Sequence, residues 1–300
     1  MRPRARTEPA VDRLAPERRD AFDRDADAYT AGRPGYPGAV YAFMEGIGAL
    51  REGSRILEIG PGTGQATVEI LRRGAIVDAV ELGANLAGLL RTRVPDERLR
   101  ITVGDIHTLS LPEEAYDAAV AATSFHWVDA RRLLPRLSSA LRPGGWLVVW
   151  WSVFGDPEVT TSFRKRVDRI FRGALPSEWN DPREIPRALH VDDRIRELTD
   201  GGWFGDARHQ IIRWTHRMDA AGVCALFSTF PGIANLTADA RDAFLKELAA
   251  AVEAEGGVID DPFVTVVYAA RKPPKDSDAY VRPSSTGSLY TSGRNTYNRQ

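Results

Sequence analysis

The sequence predicts an α/β fold built on a doubly wound, mainly parallel sheet. Three observations carry that expectation. Short apolar runs alternate with helical patterns from residue 55 onward. The early runs are apolar almost without interruption, as strands buried on both faces are. The first run leads directly into a glycine-rich turn, and a helical pattern starts at once.

The elements follow in order. Strands are expected at 55–59, 75–82, 99–103, 116–122 and 146–152, with helices at 65–73, 84–93 and 130–141 between them. The last helix begins after Asp129, a residue suited to the N-cap, and stops at Pro143-Gly144-Gly145. Residues 156–205 break the alternation: they read as helical with interruptions and hold no clear strand. Strands resume at 209–218 and 264–271, with an amphipathic helix at 238–255 between them. A helical insertion at that point of such a sheet is expected over the carboxyl ends of the strands, as a substrate cap. Residues 1–20 form an Arg-, Pro- and acid-rich arm, and 273–300 a Ser/Thr/Pro/Gly/Asn-rich tail, flanking a domain at 21–272.

Composition narrows the function classes. The net charge of −1 gives no global field for nucleic acid or an anionic membrane. Arg outnumbers Lys 36 to 4, yet the acids balance them. Cys224 is the single cysteine, so a multi-cysteine metal site is excluded and a reducing compartment is expected. The histidines at 190, 209 and 216 lack ligand spacing, so no metal is expected. The longest apolar run, 146–151, has the length of a strand and not of a membrane span. The N-terminus lacks the apolar core of a signal peptide, and a cytoplasmic location is expected.

The turn after the first strand reads Glu58-Ile-Gly60-Pro-Gly62-Thr-Gly64-Gln65. Alternating glycines permit a tight turn and let a ligand approach the backbone. Twenty-one residues after Gly60, Glu81 ends the second strand, where a carboxylate can accept ribose hydroxyls. The dinucleotide fingerprint G-x-G-x-x-G would need glycine at 65, where this chain has Gln65, so NAD is not expected.

Taken with Gly104-Asp105-Ile106 after the third strand and Leu141-Arg-Pro-Gly-Gly145 before the fifth, this stretch resembles the ordered motifs of class I S-adenosylmethionine-dependent methyltransferases. The resemblance implies a Rossmann-like seven-stranded sheet with its last strand antiparallel, and S-adenosyl-L-methionine as cofactor. It places Gly60, Gly62 and Gly64 along the methionine and ribose portion, with Glu58 and Phe125 also at the cofactor. Glu81 would hold the ribose, Asp105 the adenine amino group, and Ile106 the adenine face. Tyr29, Arg33 and Tyr36 ahead of the first strand, and Ser124-Phe125-His126-Trp127-Val128-Asp129 after the fourth, are similar to the trans-aconitate methyltransferase group of small-molecule enzymes. On that likeness Tyr29 or Arg33 would reach the cofactor's carboxylate, with Tyr36 in the substrate pocket.

His126 has two readings: a general base for a hydroxyl or amine acceptor, or a pocket-lining residue beside Trp127. Trp127 and one of the adjacent pair Trp150 and Trp151, taken as Trp151, are candidates for the acceptor pocket. The expected function is direct displacement of a methyl group onto O, N or C of a small molecule. The alternatives are a methyltransferase fold acting on protein or RNA, or one that binds cofactor without turnover.

Overall fold

The computed structural model describes residues 32–174 and 186–277. Tyr29, the N-terminal arm and most of the tail lie outside the described residues. In chain order the elements are α1 (Gly38–Gly46), β1 (Arg55–Ile59), α2 (Thr67–Arg72), β2 (Ile76–Glu81), α3 (Ala84–Arg93), β3 (Leu99–Val103) and β4 (Tyr116–Ala122). They continue with α4 (Ala130–Ala140), β5 (Leu141–Val153), α5 (Ser162–Ala174), α6 (Val191–Thr199), β6 (Gly205–Asp219), α7 (Ala220–Ser228), α8 (Pro231–Ala234), α9 (Ala238–Glu253) and β7 (Val258–Arg271).

The seven strands form one sheet in the order β3-β2-β1-β4-β5-β7-β6. The first five pair in parallel, and β7 runs antiparallel to both β5 and β6. The Rossmann-like expectation, with its last strand antiparallel and helices inserted between β5 and β6, therefore holds. The strand order reverses between β1 and β4, and their carboxyl ends diverge there into the crevice where such sheets bind ligands.

Side-chain alternation explains why these runs are apolar on both faces. One face of the central strands (Leu57, Ala119, Ala121, Leu147, Val149, Trp151) packs on Leu133, Leu134 and Leu137 of α4 and on Leu198 of α6. The other face (Ile56, Ala118, Val120, Val148, Trp150) packs on Val40, Tyr41 and Met44 of α1 and on Ile70 and Leu71 of α2. A third cluster joins α5, α7 and α9 to Met218, Ile259 and Phe263, where β6 and β7 extend as an antiparallel ribbon.

Three features depart from the sequence reading. Helix α1 precedes β1, on nine residues (GAVYAFMEG) too short and too apolar for a clear helical period. Strands β6 and β7 are longer than 209–218 and 264–271, because each continues along the other as a ribbon. Asp129 occupies the N-cap of α4, yet its side chain makes no capping hydrogen bond there. Its backbone N–H is engaged instead by His107.

Candidate functional site

A cavity of about 410 Å³ opens at the switch point, lined by the β1 turn, the ends of β2, β3 and β4, residues 33–36 and the segment after β5. The glycine turn forms its floor. Gly60 takes a φ of +63°, and a Cβ there would come within 2.9 Å of the Ser124 side chain. Gly64, at φ +96°, would drive a Cβ to 2.6 Å from Leu90. Neither position accepts a side chain, so the turn is set by two tolerances that only glycine has.

Glu81 crosses this turn. Its Oε2 accepts the Gly62 N–H at 2.9 Å and its Oε1 the Gly83 N–H at 2.9 Å, with the residue only 6% exposed. The carboxylate is thereby fixed at the cavity wall by backbone amides. One strand over, Asp105 lines the same wall beside Ile106. Its Oδ1 accepts from the His107 backbone N–H at 2.9 Å and pairs with His107 Nδ1 at 2.8 Å.

At the other end, Thr123 ends β4 in the left-handed region at φ +54°, which is strained for a β-branched residue. Its N–H donates to the Trp150 carbonyl, and its Oγ1 meets the Tyr36 hydroxyl at 3.0 Å. The turn that follows carries His126 and Trp127, both on the cavity, with their rings 4.8 Å apart. Trp151 Nε1–H donates to His126 Nδ1 at 3.0 Å. That bond makes Nδ1 the lone-pair nitrogen and puts the ring proton on Nε2. Burial within the cavity wall, reinforced by the charges of Arg194, Arg187 and Arg33, pushes the His126 pKa down to about 4. The imidazole is therefore neutral near pH 7. Arg33 lines the cavity with its guanidinium 4.7 Å over Phe154 and 5.4 Å over Phe230, and Nη2 donates to the Thr229 carbonyl.

Of the residues singled out from sequence, Arg33, Tyr36, Gly60, Gly62, Glu81, Asp105, Ile106, His126 and Trp127 line this cavity. Four do not, and each has a physical reason. Glu58 is fully buried behind the turn, where its Oε2 accepts from the Thr67 hydroxyl at 2.7 Å. Burial, and secondarily the charge of Glu81, raises its pKa to about 7. Gly64 is turned onto Leu90 of α3, Phe125 is a core residue at 1% exposure, and Trp151 packs edge-to-face on Tyr268. Trp151 touches the site through the bond from its Nε1–H to His126. Tyr29 lies outside the described residues.

Sequence reasoning passed over His107, Ser124 and Phe154, all of them on the cavity. Ser124 ties β4 to β1 by donating to the Ile59 carbonyl. For His107 the available signal was its place two residues after Asp105, in Asp105-Ile106-His107. Among the described residues no group of three or more His, Cys, Asp or Glu is placed to hold a metal. No helix there is long and apolar enough to cross a membrane. Residues 156–174 and 186–205 contribute nothing to the lining directly: α5 packs on α9, and α6 on β6 and β7.

Sheet order and site together define a Rossmann-like nucleoside-binding fold of the methyltransferase type. Residues 57–149 match the model of a methyltransferase domain. An uncharacterized methyltransferase of Mycobacterium tuberculosis is 33% identical over 132 residues, 44% of this chain and 52% of that protein. A second one from the same organism is 34% identical over 159 residues, 49% of this chain and 78% of that protein. This chain belongs to the S-adenosylmethionine-dependent methyltransferase family. It spans about half the length of the first curated relatives it matches. Among solved structures, phosphoethanolamine N-methyltransferase 2 of Haemonchus contortus, bound to phosphomonomethylethanolamine and S-adenosylhomocysteine, superposes with a TM-score of 0.50. It is 21% identical, over 85% of this chain and 60% of that one, a likeness of fold.

Proposed function

We propose that this protein binds S-adenosyl-L-methionine in the cavity and transfers its methyl group directly to O, N or C of a small molecule. The observation that carries the reading is the convergence of Glu81, Asp105 and the turn at Gly60 and Gly62 on one cavity. Glu81 takes the ribose hydroxyls, and Asp105 the adenine amino group beside Ile106. The glycine turn lies along the methionine portion, and Arg33 receives its carboxylate. A sulfonium is a good leaving group, so alignment of donor and acceptor supplies most of the rate. A concave cleft of this size in a chain of nearly balanced charge favours a small acceptor over RNA or protein.

His126 acts here as a hydrogen-bond donor through Nε2–H and not as the general base. Its lone-pair nitrogen is occupied by Trp151, and its protonated nitrogen has nothing to accept with. The acceptor must then present its own lone pair. Helix α6 reaches the same end at one remove, since Arg194 lies 5.9 Å over the ring of Trp151. Substitutions in α6 around Arg194 are expected to act on the acceptor by that route.

Calorimetric titration with S-adenosylhomocysteine and NAD, followed by transfer of a labelled methyl group to a panel of small metabolites, tests the proposal. Saturable binding of the sulfur nucleoside with no heat from NAD supports it. Binding of NAD alone refutes it.

A further inference from the structure

His107 is held from both sides. The Asp129 backbone N–H donates to His107 Nε2 at 3.1 Å, so that nitrogen carries the lone pair. The ring proton must then sit on Nδ1, where it donates to Asp105 Oδ1 at 2.8 Å. The His107 backbone N–H falls on the same oxygen at 2.9 Å. Two donors on one oxygen restrain rotation of the carboxylate about its Cβ–Cγ bond on a side chain that is 45% exposed. The imidazole is itself only 10% exposed and lines the cavity. A neutral ring satisfies both bonds, and its other end grips Asp129, two residues beyond the turn bearing His126 and Trp127.

We propose that His107 is a positioning residue of the cofactor site: it holds the Asp105 carboxylate in the orientation that receives the amino group of an adenine. By the same ring it ties the adenine wall to the acceptor wall. The inference rests on the reading of Asp105 given under Proposed function. A polar loop residue with a merely structural role would contribute to folding alone. A positioning residue controls discrimination between purines that carry an amino group and those that do not.

The test is a set of binding isotherms for S-adenosylhomocysteine and S-inosylhomocysteine, whose base carries oxygen in place of the amino group. Wild-type protein is expected to prefer the adenosyl compound by about tenfold or more, the loss that follows when a site built for an N–H donor meets an acceptor. His107→Ala should weaken the adenosyl compound about tenfold and leave the inosyl compound within about twofold, collapsing the preference. His107→Asn places an amide N–H where Nδ1–H stood, and should restore most of the discrimination while losing the Asp129 contact. Equal weakening of both ligands in His107→Ala, or no recovery in His107→Asn, would overturn the role of His107. Absence of any preference in the wild-type protein would instead overturn the reading of Asp105, and the proposal with it. Melting curves on each variant identify a loss of fold, and His107→Asn decides the question if His107→Ala does not fold.

Discussion

Replacing Glu81 with Gln probes the donor site with the smallest change of shape. In the native protein each carboxylate oxygen accepts one backbone N–H, at 2.9 Å to Gly62 and 2.9 Å to Gly83. A glutamine can accept with one oxygen only; its NH₂ group then faces the other N–H. A hydrogen bond to a charged acceptor contributes about 1.5–3 kcal/mol, and losing one at a position 6% exposed should cost that amount in stability. For a domain of this size that corresponds to about 3–12 °C in Tm. The ribose loses a charged partner as well, and a second increment of the same size weakens S-adenosylhomocysteine about 10- to 100-fold. Differential scanning calorimetry reads the first effect, and titration calorimetry the second. A variant that melts lower but binds the nucleoside as tightly as wild type would refute the ribose assignment. Unchanged melting would refute the account of the turn itself.

Further expectations concern the rest of the site. Glu58, fully buried with a pKa raised to about 7, is favoured in its protonated form, so the folded state holds its proton between about pH 4.5 and 7 while the unfolded chain releases it. Stability from this group should fall by about 3 kcal/mol as pH rises through that window, opposed by a rise from His126, whose folded pKa of about 4 lies below its ordinary value. Glu58→Gln should therefore make stability climb more steeply with pH across the window in a series of denaturant melts. Because His126 is neutral down to about pH 4, kcat for an identified acceptor should show no falling limb near pH 6.5; an ionisation there that vanishes in His126→Asn would restore the general base. Trp151→Phe strips the partner from His126 Nδ1 and should lower stability by about 1–3 kcal/mol in denaturant melts. Gly64→Ala combines a φ of +96° with a contact of 2.6 Å to Leu90, so it should destabilise by more than about 1 kcal/mol; an unchanged melting temperature would contradict the turn geometry.

The sheet was legible because its signal is local and repeated. Strands buried on both faces must be apolar throughout, so β1 and β4 could be bounded from sequence at Arg55–Ile59 and Tyr116–Ala122, whereas β3 at Leu99–Val103 is an edge strand and largely exposed. The glycine turn was legible for a different reason, since positive φ and close approach admit one residue type, and Glu81 by its place at the end of β2. What the sequence withheld depends on long-range packing. Nothing local says that Glu58 turns behind the loop onto Thr67 and not into the crevice. The two adjacent tryptophans must face opposite ways, yet the sequence does not reveal that both are core residues, Trp150 against Tyr36 and Tyr41, Trp151 against Tyr268. The same limit hid the tautomer of His126, which is set by a partner 25 positions away. It also hid His107, whose meaning depends on Asp129 across the cavity wall.

The most direct test is a crystal structure of the protein with S-adenosylhomocysteine. The account predicts both ribose hydroxyls on the Glu81 carboxylate, the adenine amino group on Asp105 with Ile106 against the ring, and the thioether sulfur facing the His126 and Trp127 end of the same cavity. A nucleoside bound elsewhere, or bound here with neither carboxylate in contact, would contradict it.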